Sequence, residues 1–230
     1  MRNSANVTIV NAILSGIADA RHTYAAWTRN GGYFAWAPEY LLTVSVAQSL
    51  WEWCAPAAVW PEFRLSDAVR EAGRPSQQGS RADWARRADI LMYRDSRQPH
   101  AIIEIKRNID GWSKIAADVE RLRTVLTAPH SSFQLGVVAF NCTQMERPES
   151  KGGTMLRHRL TRMAECADDI RLPGWQCYLS ARGINFDGHE HWSAAAIVIE
   201  KSPQKMLAKP RPRHGDAACT PQAAQVPSPS

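Results

Sequence analysis

Val10, Ile13, Leu14 and Ile17 fall on one helical stripe and predict a helix over about Asn11–Arg21. Asn30-Gly31-Gly32 breaks the chain after it. Pro38 opens a second helix, because its ring presets φ and its missing N–H is not needed at a first helical position. Leu42, Val46, Leu50 and Trp53 are the expected buried stripe of that helix. Ala58–Val69 reads as extended, and Gly73–Ser80, rich in Gly, Pro, Ser and Gln, as a loop. Two short apolar runs, Ala88–Arg94 and His100–Arg107, flank the polar turn Asp95–Pro99 and predict a pair of strands. Asp110 is a good cap for a helix that carries Ile115, Val119, Leu122 and Leu126 on one face. Phe133–Phe140 reads as a buried strand, and Thr154–Ala167 returns to helical spacing through Leu156, Leu160, Met163 and Ala167. Trp175–Ala181 and His191–Glu200 are expected to pair around Asp187-Gly188. Helix, strands, helix, strand, helix and strands in this order make a mixed α/β domain.

The charged residues that interrupt the two central strands carry the chemistry. In Ile102-Ile103-Glu104-Ile105-Lys106, residues two apart share a face, so Glu104 and Lys106 point together while Ile103 and Ile105 pack behind. An antiparallel hairpin centred near Ser96–Gln98 sets Asp89, from Arg87-Ala88-Asp89-Ile90-Leu91, opposite Glu104 or Lys106. Two carboxylates and one ammonium then converge on one patch of sheet. Magnesium prefers hard oxygen ligands and is usually held by one or two carboxylates plus substrate phosphate. A lysine beside it can orient an attacking water and offset charge developing on phosphorus. An isolated acid-x-Lys on a strand is usually a solvated ion pair, worth well under ~1 kcal/mol. Here the flanking isoleucines bury the strand, and charges at such positions need partners or a metal.

This pattern resembles the PD-(D/E)XK nuclease superfamily over about Pro38–Asn141, in both motif and element order. The resemblance implies a restriction-endonuclease-like core of order αβββαβ, with a mixed sheet flanked by helices. It matches Asp89 to the motif's aspartate, Glu104 to its second acid and Lys106 to its lysine. It adds the Ile105 carbonyl as a metal ligand and matches Glu39 to a helix glutamate near the metal. Ala88 replaces the motif's proline. The activity so implied is Mg²⁺-dependent endonucleolytic cleavage of DNA ahead of RNA, leaving 5′-phosphates, with Mn²⁺ as a substitute ion. The rival is a catalytically inactive nucleic-acid-binding protein or complex subunit of the same fold. In a third reading, a structural module, the acids and lysine merely pair.

Lys151, Arg157, Arg159 and Arg162 lie in the most basic stretch, in and just before a predicted helix, and are the expected phosphate contacts. Asp118 and Arg121, on the helix after the lysine strand, read as an i,i+3 surface pair. Asp187, His189, Glu190 and His191 imitate metal ligands, but polar residues are expected at a hairpin turn.

Composition changes this picture little. The 230 residues fit one domain by a prior of about 100–200 residues each, here residues 1–201. Six prolines within residues 202–230, with no large apolar residue beyond Leu207 but Val226, predict a disordered tail whose basic residues Lys205, Lys209, Arg211 and Arg213 are solvated. A formal net charge of +6 favours polyanion partners. The nine tryptophans read mostly as core or sheet-packing residues. Five cysteines, Cys54, Cys142, Cys166, Cys177 and Cys219, form no CxxC pair and suit a reducing cytoplasm. The first twenty residues loosely imitate a signal peptide, but Asn11 and Ser15 interrupt the apolar stretch. No stretch approaches the ~20 apolar residues of a membrane span. A homodimer, or a protein partner that supplies specificity, is compatible with the chain.

Overall fold

Strand β7, Glu190–Lys201, alternates Ala194, Ala196 and Val198 with Ala195, Ile197 and Ile199, and all six are buried. A strand that is apolar on both faces must be covered on both. The computed structural model, which describes residues 4–73, 86–94, 98–146 and 151–202, supplies both covers. Helices α1 (Ser4–Trp27) and α2 (Glu39–Cys54) lie on one face of the sheet. Helices α3 (Leu65–Glu71), α4 (Ala116–Leu126) and α5 (Gly152–Asp168) lie on the other. Each face has its own core.

The remaining strands are β1 (Ala58–Arg64), β2 (Arg87–Tyr93), β3 (Pro99–Lys106), β4 (Leu135–Met145), β5 (Trp175–Ala181) and β6 (Asn185–Phe186). They form one mixed sheet in the order β1-β2-β3-β4-β7-β5, with β6 paired to β7. Only β3 and β4 run parallel, joined by the crossover through α4, as parallel neighbours require. The expected mixed α/β class therefore stands. β5 and β7 pair as expected, while the tight turn at Asp187-Gly188 joins β6 to β7.

Several local expectations are corrected. The extended reading of Ala58–Val69 fails after Arg64, because Leu65, Ala68 and Val69 are buried at helical spacing. Trp53 is 53% exposed. The stripe of α2 steps by four through Leu42, Val46 and Leu50 and reaches Cys54 instead. Trp27, Trp36, Trp51 and Trp60 are also exposed, so the tryptophans are mostly not core residues. Asp110 caps nothing: a 3₁₀ turn at Trp112–Lys114 intervenes, and α4 starts after Ile115 without a side-chain cap. β4 runs past Phe140 to Met145, because Asn141 finds partners inside the fold. The first helix is longer than predicted at both ends, and its stripe is buried against the sheet and α2.

The predicted loop beyond residue 73, residues 95–97 of the predicted turn, Cys219 and the predicted tail from 203 lie outside the described residues. Among the described residues no helix is long and apolar enough to cross a membrane.

Candidate active site

The β2–β3 register pairs Ile90 with Ile103, which sets Asp89 beside Glu104 at the next step. At this point the strands part. Asp89 turns its carboxylate into the gap, and Oδ2 accepts the Ile105 N–H at 2.6 Å. Lys106, two residues past Glu104 and on the same face, places Nζ 3.7 Å from Asp89 Oδ2 and 3.8 Å from Glu104 Oε2. The structure thus brings Asp89, Glu104 and Lys106 together. Beyond Lys106, Asn108 adopts a left-handed φ of 47°, which Asn tolerates better than most residues, and the chain turns. Asn141 Oδ1 on β4 accepts the Asn108 N–H at 2.7 Å and holds that turn.

Helix α4 covers this face and delivers two more charges. Arg121 Nη2 lies 2.9 Å from Glu104 Oε2 and 2.7 Å from Asp118 Oδ1, and Asp118 Oδ2 lies 4.0 Å from Lys106 Nζ. The reading of Asp118 and Arg121 as a surface pair is therefore corrected: both belong to the cluster, and Arg121 is only 10% exposed. The signal was available, since Asp118 and Arg121 flank Val119 and Leu122, the apolar stripe that faces the sheet. Three acids and two bases share one low-dielectric patch.

Glu104 is 2% exposed. Burial raises its carboxyl and Asp89 raises it further, Arg121 and Lys106 pull it back, and the balance stands at about 7. Burial alone would lower the Arg121 guanidinium, but Glu104 and Asp118 outweigh it and hold the group above its ordinary value. Glu104 Oε1 is buried with no hydrogen-bond partner, as is Arg121 Nε. An orphaned carboxylate oxygen in a buried site costs on the order of 1–3 kcal/mol unless something fills its valence.

A divalent ion is one such partner, and the donor set fits a magnesium-type ion in part. Asp89 and Glu104 are hard oxygen ligands, and an ion of this kind keeps several waters. In an extended strand the N–H and C=O of one residue leave on the same edge, so the Ile105 carbonyl faces Asp89 across the gap, as its amide does. Glu39 is not brought to the acids. It opens α2, and its Oε2 accepts the Arg107 N–H at 3.2 Å, one residue past the lysine. Among the described residues no group of three or more His, Cys, Asp or Glu is placed to hold a metal, so main chain and water would have to complete any shell.

The basic stretch divides. Lys151, Arg157 and Arg162 are exposed on or beside α5. Arg159 is half-buried and donates to Thr143 O at 3.0 Å and Gln144 Oε1 at 2.9 Å, which ties α5 to the end of β4. The hairpin acids serve the fold in the same way. Asp187 pairs with Arg21, and Glu190 accepts the Phe34 N–H. His191 Nε2 lies 2.7 Å from Glu146 Oε2.

Neither protein-family models, nor curated proteins, nor solved structures yield a match to this chain.

Proposed function

We propose that this chain is a metal-dependent endonuclease that hydrolyses phosphodiester bonds of DNA on a restriction-endonuclease-like core, acting in the cytoplasm. The observation that carries this reading is the convergence of Asp89, Glu104 and Lys106 at the parting of β2 and β3. The order α2, β1, β2, β3, α4, β4, with α3 inserted after β1, agrees with the αβββαβ core that the motif implies. Asp89, Glu104 and the Ile105 carbonyl would hold Mg²⁺, or Mn²⁺ in its place. The bound ion supplies a polarised phosphoryl oxygen and an acidified water.

The protein's own groups do the rest. Lys106 orients the attacking water and offsets charge that develops on phosphorus. Arg121 fixes the plane of the Glu104 carboxylate and favours its ionised form. Asp118 balances Arg121 and Lys106, so that neither cation is spent wholly on Glu104. The products carry 5′-phosphates, DNA is preferred to RNA, and a protein partner or a second copy supplies sequence specificity.

One contact favours the rival reading of a nucleic-acid-binding protein that does not cut. Arg121 already neutralises Glu104 at 2.9 Å, as a purely structural ion pair would. Cleavage separates the two. Supercoiled plasmid should be cut by the purified protein with Mg²⁺ or Mn²⁺ and left intact with EDTA. Lys106→Ala should fold, bind metal and lose turnover by at least about 100-fold, since its role belongs to the transition state. Glu104→Gln should lose both metal affinity and cleavage. A folded Lys106→Ala protein that cuts at the wild-type rate would overturn the assignment.

A further inference from the structure

A cleft of about 680 Å³ opens between the Asp110–Ser113 turn and helix α5. This is within the roughly 300–1,000 Å³ usual for small-ligand sites. Its walls are of two kinds. Trp112 and Met155 present apolar surface, with Met163 at the base, while His158, Arg159 and Arg162 stand along the α5 side. Among the described residues, Asp110 is the only carboxylate on the lining. Trp112 is half-buried: it packs against the core beneath and lines the cleft as well.

The cleft follows the acids in the chain, its Asp110–Ser113 turn beginning four residues after Lys106. Both lie on the sheet face covered by α4 and α5, at the C-terminal end of the parallel β3–β4 pair, where α/β sheets bind ligands. The turn after Lys106 is fixed to β4 through Asn108 and Asn141. Thr143 donates to Asn108 Oδ1 at 2.9 Å, and its carbonyl accepts from Arg159 of the cleft wall. The surface from Lys106 to Arg159 is therefore held as a unit.

We infer that this cleft takes one unpaired nucleotide of a DNA strand, with its base against Trp112 and its phosphate on Arg162 and His158. The inference deepens the nuclease reading and rests on it for the class of ligand. An aromatic side chain in a cleft that also carries Arg159 and Arg162 suits a base that has left its stack, since base–aromatic stacking needs a free π-face and tolerates any sequence. A base inside a duplex has both faces covered and cannot use Trp112 without being extruded. The preferred substrate is thus single-stranded, or a duplex with an unpaired nucleotide at the cleavage point.

The test measures binding without cutting. Fluorescently labelled oligothymidylate is titrated with the full-length protein in EDTA, and a blunt duplex of equal length competes. Trp112→Ala and Arg162→Gln should each weaken oligothymidylate binding at least about fivefold. The duplex should compete poorly. Trp112→Phe keeps a π-face and should retain most of the affinity, which separates stacking from loss of fold. Wild-type affinity in folded Trp112→Ala, equal competition by the duplex, or no binding of oligothymidylate by the wild type would each overturn the inference. Failure of the nuclease reading looks different: binding that depends on Trp112 would persist in a protein that cuts neither plasmid nor single-stranded DNA with Mg²⁺.

Discussion

Glu104 is held between two demands. Burial favours its protonated form, while Arg121 and Lys106 favour its charged form, and the balance leaves the carboxyl near 7, above its ordinary value of 4.5. In the metal-free protein the folded state then binds this proton more tightly than the unfolded chain does. The stabilising contribution is complete below about 4.5 and is lost as pH rises through about 7. Glu104→Gln cannot titrate, so the wild type should lose stability relative to the variant between pH 5 and 8. Urea unfolding with EDTA, at one-unit steps, reads the difference. A difference that stays flat over that range would mean that Glu104 is already ionised at pH 5. Arg121 is the complementary case. Arg121→Ala leaves a buried acid without its strongest partner and should cost about 3–5 kcal/mol at pH 8. The cost should shrink at pH 5, where Glu104 takes up a proton. Equal losses at the two pH values would show that Arg121 acts by packing and not by charge.

At the scale of elements, the site depends on helices docked closely enough to aim single side chains. Gly16 lets α1 touch the α2 backbone: a Cβ there would lie 2.5 Å from Val46 Cα and 2.8 Å from Ser45 O. Backbone cannot yield as a flexible side chain does, so Gly16→Ala should destabilise by at least about 1–3 kcal/mol, seen as a lower urea midpoint. An unchanged midpoint would mean that the two helices slide apart freely. Helix α5 makes a similar demand on Arg159, whose two hydrogen bonds to the end of β4 give it a structural duty that Arg157 and Arg162 do not share.

For the whole molecule, the relevant quantity is a net charge of +6, with four basic residues and no acid between Lys151 and Arg162. Each neutralised phosphate releases counterion, so the slope of log affinity against log salt counts contacts. Replacing Arg157 and Arg162 together by Gln should flatten that slope by about 2 and weaken binding to all sequences alike. A slope unchanged by the double substitution would return both residues to a solvated face. Cleavage and binding also divide between the acid cluster and the cleft. Changes at Lys106 should alter turnover at constant affinity, and changes around Trp112 should do the reverse.

The sequence alone determined what depends on spacing along one element. Alternation placed Glu104 and Lys106 on one strand face, and the gap between Ala88 and His100 was short enough to bring Asp89 to them. The continuous apolar runs marked central strands covered on both sides, because no other environment satisfies apolar residues at every position. Periodicity misled where a second element intervened. Leu65–Glu71 coils because its apolar residues meet the core on one helical face, and α2 turns half-buried Cys54 to the core in place of Trp53 by phase alone. What only the tertiary structure decided is how charges from distant segments combine. An i,i+3 pair such as Asp118 and Arg121 looks the same in sequence whether water or a buried glutamate lies beyond it. The packing of α4 over the end of β3 brings Arg121 to Glu104 and Asp118 to Lys106. That same packing removes the water that would otherwise screen them, and so turns a surface pair into part of the site.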